Sequence, residues 1–184
     1  MPDSQFDFLF SFTKVIEEIK TKYLSYGFVI ERDFVWTVQK HLQKMINEQH
    51  LPCTIFNDYP IESGTHRSVS VDLAVVNNEI HYMDILQGKS KAEFVAEFKF
   101  EPSELRPDIC SHKLPVVFWN HVNNDIIRIK RFVDDRKTKS AVAIFIDENG
   151  RYRNKVIGNL SKWIDWGSYD TDRINVSVLW TSLR

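Results

Sequence analysis

Three ionisable residues stand where the surrounding sequence asks for apolar strands. Asp72 interrupts residues 68–76, SVSVDLAVV, and Glu97 with Lys99 interrupts residues 93–100, EFVAEFKF. A strand alternates its side chains, so Phe94, Ala96, Phe98 and Phe100 share one face, and Val95, Glu97 and Lys99 share the other. An ionised group buried unpaired on such a strand costs on the order of several kcal/mol. If the two strands are neighbours, Asp72 can stand beside Glu97, and two close carboxylates repel unless a cation lies between them. Hard oxygen donors select Mg²⁺ or Mn²⁺, and Lys99 adds a positive charge beside that ion. Such a site suits phosphodiester hydrolysis. The metal polarises the phosphate and acidifies a water, while the lysine orients that water or steadies developing charge.

The elements that must position these residues are legible from periodicity. Phe8, Phe12, Val15, Ile16, Ile19 and Tyr23 recur at helical spacing, which predicts a helix over 6–24 broken at Gly27. Val35, Leu42, Met45 and Ile46 stripe a second helix over 31–49, with Glu31 and Asp33 at the end where the helix dipole favours acid. Strands follow at 53–60 and 68–76, the first hairpin turning at Glu62-Ser63-Gly64, and residues 79–85 extend it. After the strand at 93–100, a polar, proline-containing loop spans 101–114. Val122, Ile126, Ile129 and Val133 mark a helix over 121–137, with Asn120 or Asn124 as its cap. AVAIFID, 141–147, is the next strand, and a short Trp-rich segment (Trp163, Trp166) precedes a last strand near 174–180. The expected architecture is α/β, a mixed central sheet flanked by helices, in a single domain over 1–184. Its core spans about 31–147, with an extra N-terminal helix in 1–30 and a C-terminal extension in 148–184.

A strand-borne Asp72 followed by Glu97-Phe98-Lys99 resembles the PD-(D/E)XK nuclease superfamily, whose restriction-endonuclease-like core runs helix, three strands, helix, strand. Val71 stands where that pattern often has proline. The resemblance implies that Asp72 and Glu97 ligate the metal, that Phe98 adds its backbone carbonyl, and that Lys99 is the catalytic lysine. It also implies an acid on the preceding helix, for which Glu31 matches best and Asp33 and Glu48 less well. The implied activity is Mg²⁺- or Mn²⁺-dependent endonucleolytic hydrolysis of DNA leaving a 5′-phosphate, often by a homodimer. The helix over 121–137 then faces nucleic acid, with Arg128, Lys130 and Arg131 as candidate phosphate contacts. Arg106, His112 and Lys113 in the preceding loop are further candidates. The rival expectation is a non-catalytic nucleic-acid or protein-binding module on the same fold. A second rival makes the helix 6–24 and the Trp-rich tail an oligomer interface.

Composition narrows the field. The 184 residues carry 24 Lys+Arg against 25 Asp+Glu, a net charge of −1, so bulk positive charge does not drive nucleic-acid binding. The longest apolar runs are far short of the roughly 20 residues a bilayer needs, so no membrane partner is expected. The N-terminal MPDSQFDFLF carries acid where a secretory signal needs base. Cys53 and Cys110 form no C-x-x-C pair and suit free thiols in a reducing cytoplasm. His121-Val122-Asn123-Asn124 lacks the partners of an HNH nuclease. A second E-x-K, Glu18-Ile19-Lys20, falls on the first amphipathic helix, where no chemistry calls for it.

Overall fold

The computed structural model describes residues 6–64, 66–87, 89–106, 108–109, 116–169 and 174–184. The elements are α1 (Phe8–Thr21), α2 (Tyr23–Tyr26), α3 (Glu31–Glu48), β1 (Cys53–Glu62), β2 (Val69–Asn77), α4 (Tyr82–Leu86), β3 (Phe94–Glu101), α5 (Trp119–Asp134), β4 (Ala141–Asp147), β5 (Ser161–Tyr169) and β6 (Ile174–Leu183). They build one six-stranded mixed sheet in the order β1-β2-β3-β4-β6-β5. Among the described strands β3 and β4 alone pair in parallel, an alignment that the parallel bridge of Ala92 with Thr138 continues beyond the strand ends. A parallel pair needs a crossover, and α5 supplies it.

Helices cover both faces. Phe94, Phe98 and Phe100 of β3 join Ile144 of β4 and Val178 of β6 beneath Phe12 of α1 and Phe34 of α3. The ring of Phe12 lies 4.7 Å from that of Phe94, and Phe34 lies 5.6 Å from Phe98. On the opposite face Ile129 and Phe132 of α5 pack on Val95, Ala141 and Ala143. The alternation of β3 thus gives its aromatic residues to α1 and α3, and turns Glu97 and Lys99 toward α5.

Four expectations about the elements' bounds and types are revised. The first helix ends at Thr21, and the one-turn α2 closes on Gly27 in the left-handed region, φ 59°. Tyr23 keeps its place on the buried stripe across this break, and its hydroxyl donates to Glu148 at 2.7 Å. Residues 79–85 do not extend the hairpin. The chain turns into α4, which buries Ile85 in the α5-side cluster before β3 begins. Helix α5 starts at Trp119 with Phe118 as its cap residue, so Asn120 and Asn124 lie inside the helix. The Trp-rich segment is a full strand, β5. Ile164 and Trp166 face the α1 side and Trp163 the other, with an irregularity between Asp165 and Ser168 beside Gly167 at φ 94°. β6 pairs with β4 along all of β4, and α1 roofs the sheet, so both elements contribute to the core.

Candidate active site

The sheet is interrupted on both sides of Asp72. The β2–β3 ladder comprises Leu73 with Ala96, Ala74 with Val95, and Val75 with Phe94. Continuing it by one residue sets Asp72 opposite Glu97, but the main-chain pairing has ended there. On the β1 side the paired residues are Asn57 with Leu73 and Tyr59 with Val71. Between them Asp58 adopts φ 51°, a left-handed conformation uncommon outside glycine. The alternation expected for β2 breaks at the same point, since Val69 and Val71 pack with Ala74 and Val76 rather than with Leu73 and Val75. The carboxylate of Asp72 takes over the lost pairing, accepting the Phe98 N–H on Oδ2 at 2.7 Å.

Glu97 lies beyond this break with only 1% of its side chain exposed. Neither of its carboxylate oxygens has a hydrogen-bond donor. The Arg128 Nη2 atom of α5 stands 2.7 Å from Glu97 Oε1, an ion-pair contact whose N–H is not aligned on the oxygen. Burial first, and then the Asp72 charge, push the Glu97 carboxyl well above the usual range. Lys99 extends from the same face. Its ammonium donates to the Phe98 carbonyl at 2.7 Å, reaches Glu31 Oε2 at 3.4 Å, and lies 3.4 Å from Asp125 Oδ2. Burial opposes that charge, but Asp125, Glu31, Asp72 and Glu97 together outweigh it and raise the lysine's pKa. Burial pushes Glu31 up to about 7 against the pull of Lys99. It raises Asp125 too, against the pull of Lys99 and Arg128. Among the described residues the cluster therefore sets four carboxylates, Glu31, Asp72, Glu97 and Asp125, against two cations, Lys99 and Arg128.

The fold thus brings together Asp72, Glu97, Phe98, Lys99 and Glu31, the residues singled out in the sequence. It adds Asp125, which the sequence analysis passed over. A signal was present. Asp125 falls within the apolar stripe of α5, among the buried Val122, Ile129 and Phe132, and an acid on a buried helical face needs a partner.

Other candidates are placed differently. Arg128 turns inward to Asp125, to which it donates at 2.9 Å, and to Glu97. Lys130 pairs with Asp134, and Arg131 with Glu62 at 2.7 Å. Arg106 is not at the surface to meet a substrate. It is buried against Glu148, Asp108 and the Phe28 carbonyl, tying down the loop after β3. Asp33 accepts the Val29 and Ile30 N–H groups at the start of α3, and Glu48 pairs with Lys44. Glu18 of the second E-x-K contacts His41. Cys53 is a free, half-buried thiol. Cys110, His112 and Lys113 lie outside the described residues.

The approach to Asp72 is a cleft of about 260 Å³ walled by Glu31, Arg32, Trp36, Asn57 and Asp58. A larger groove of about 640 Å³, between α1 and α3, shares no residue with the acidic cluster. Among the described residues no three His, Cys, Asp or Glu side chains stand close enough together to enclose a metal ion. A Mg²⁺ ion does not require such a cage, because it keeps several waters and takes one or two carboxylates. The donor atoms are oxygens of the kind a hard cation takes, but the space enclosed beside Glu97, Lys99 and Asp125 is only about 10 Å³, so a hydrated ion would enter only if side chains of the cluster moved aside. Glu97 has two buried oxygens without a hydrogen bond, Asp125 Oδ2 is a third, and the Phe98 carbonyl has a second lone pair beside the one facing Lys99. Comparison with protein-family models, curated proteins and solved structures finds no match.

Proposed function

We propose that this protein is a Mg²⁺- or Mn²⁺-dependent phosphodiesterase of the PD-(D/E)XK type acting on nucleic acid, with DNA as the first substrate to test. One observation carries the proposal. Glu97, almost fully buried beside Asp72, accepts no aligned hydrogen bond on either oxygen and has one unaligned guanidinium contact, from Arg128 at 2.7 Å, so its charge is incompletely compensated and a further cation would relieve it. The order α3, β1–β3, α5, β4, with α4 inserted before β3, supports a restriction-endonuclease-like core. Asp72 and Glu97, with the Phe98 carbonyl, would hold the ion. The ion would supply Lewis-acid activation of a phosphate and a water of lowered pKa. Lys99 orients the attacking water or steadies charge on the phosphate from the same strand. Glu31, within 3.4 Å of Lys99 and with its pKa near 7, can hold or release a proton at its carboxylate in the working range. Cleavage of this kind leaves a 5′-phosphate. Cytoplasmic residence and a homodimer belong to the same proposal.

The contacts of Lys99 and Arg128 favour one rival. In a binding module without catalysis, these two side chains would act as permanent counter-ions of the cluster. A thermal-unfolding titration with Mg²⁺, Mn²⁺ and Ca²⁺ on wild type, Asp72→Ala and Glu97→Ala separates the two. A cation that binds the native state raises the midpoint by mass action. Stabilisation of the wild type and its loss in both variants supports the metal site, and a nuclease screen on single- and double-stranded DNA and RNA follows. A folded wild type indifferent to millimolar cation favours the binding module.

A further inference from the structure

Arg128 meets Glu97 without an aligned hydrogen bond. A guanidinium–carboxylate pair is frequently two-pronged, with parallel N–H···O bonds, which is the stronger geometry. Here one nitrogen, Nη2, serves two carboxylates, aligned on Asp125 at 2.9 Å and unaligned on Glu97 at 2.7 Å. The buried Nε of Arg128 has no acceptor. Meanwhile 32% of the side chain is exposed, so a path to solvent is open. Asp125 lies one helical turn back on α5 and accepts from the arginine independently of Glu97.

We propose that Arg128 is a displaceable internal counter-ion: it neutralises Glu97 until a divalent cation binds there, and then swings out of the cluster toward the substrate's phosphate. This rests on the metal-dependent reading of the site and adds its regulation. The guanidinium and the metal compete for the same carboxylate oxygens, so each weakens the hold of the other. Metal binding thereby releases a cation suited to phosphate beside the metal-binding carboxylates. The site stays neutralised in the meantime, which limits the repulsion within four crowded carboxylates.

The test uses the whole chain and Ca²⁺ as the probe, by calorimetric titration of wild type, Arg128→Gln and Glu97→Gln, with Lys44→Gln on the far side of α3 as a control. Thermal unfolding first establishes that each variant is folded. Arg128→Lys replaces Arg128→Gln if the latter is not. The expected result is Ca²⁺ binding about tenfold tighter in Arg128→Gln than in wild type, lost in Glu97→Gln and unchanged in Lys44→Gln. A bystander charge could also alter affinity, so a second readout follows the guanidinium itself. The Arg128 Nε–H resonance, assigned by its disappearance in Arg128→Lys, is expected to gain fast solvent exchange when Ca²⁺ is added to wild type. Equal or weaker binding in Arg128→Gln overturns the displacement while leaving the metal site standing. An Arg128 Nε–H signal unmoved by saturating Ca²⁺ does the same. Absence of Ca²⁺ binding in wild type and Arg128→Gln alike overturns both the metal site and the displacement.

Discussion

Replacing Glu97 by glutamine should stabilise the protein, against the usual expectation for a change in a buried strand. The side chain is 1% exposed. Its attraction to Arg128 is opposed by repulsion from Asp72, and the cluster holds four carboxylates against two cations. The unreturned part is mostly desolvation. Removing one partner of a buried pair is costly when it strands the other charge, but here Arg128 keeps Asp125. Each pKa unit by which burial and Asp72 raise the Glu97 carboxyl is about 1.4 kcal/mol against its ionised form. Glutamine keeps the shape and removes the charge. A gain of about 2 kcal/mol is expected at pH 8, which for a chain of this size raises Tm by about 4–8 °C. The pH dependence has a definite sign. The folded-state pKa of Glu97 is raised, so its contribution to wild-type stability is complete below the ordinary glutamate value of 4.5 and is lost as pH rises through the raised value. Glutamine does not titrate there, so the advantage of Glu97→Gln grows with pH and closes toward pH 4.5. Urea unfolding of both proteins from pH 5 to pH 9, without divalent cation, measures it. A variant less stable than wild type at pH 8, or a difference independent of pH, would show that Arg128 fully compensates the buried charge and would refute the reasoning.

Two further outcomes follow from the same geometry. With its folded-state pKa raised to about 7, Glu31 contributes stability that is complete below about pH 4.5 and disappears as pH rises through about 7; Glu31→Gln should therefore flatten the stability–pH curve between pH 5 and pH 8, and an unchanged slope in denaturant titrations would reject that role. Phe132→Ala, at a fully buried position where α5 meets the sheet, should cost about 3–5 kcal/mol in urea unfolding, because the contacts with Val95 and Ala141 are lost to a cavity.

Several features of the fold follow from local sequence. The apolar alternation of β3 marks which face Glu97 shares with Lys99, and the seven-residue run 141–147 is a strand over its whole length. The stripe of α3 places Glu31 in its first turn. Where local signals failed, a competing effect is identifiable. Residues 79–85 look extendable as a strand, but burial of Ile85 against the α5 side selects one helical turn. In β5, Lys162, Asp165 and Gly167 disguise a strand that pairs with β6 nearly end to end.

The sequence by itself determined that Asp72, Glu97 and Lys99 are charges on otherwise apolar strands, and that helices flank those strands. These are statements about one element at a time, and a period of two or of 3.6 is a local property. Only the tertiary structure decided what stands across from each charge. Nothing near Asp72 in the chain indicates that its carboxylate accepts the Phe98 amide from the neighbouring strand, or that Asp58 breaks the ladder on the other side. The approach of Asp125 to Lys99 and of Arg128 to Glu97 depends on how α5 lies across β3 and β4, which the parallel crossover and the packing of Ile129 and Phe132 set. The face of a strand is encoded in its own residues. Its register and its neighbours are encoded in the contacts of the whole chain.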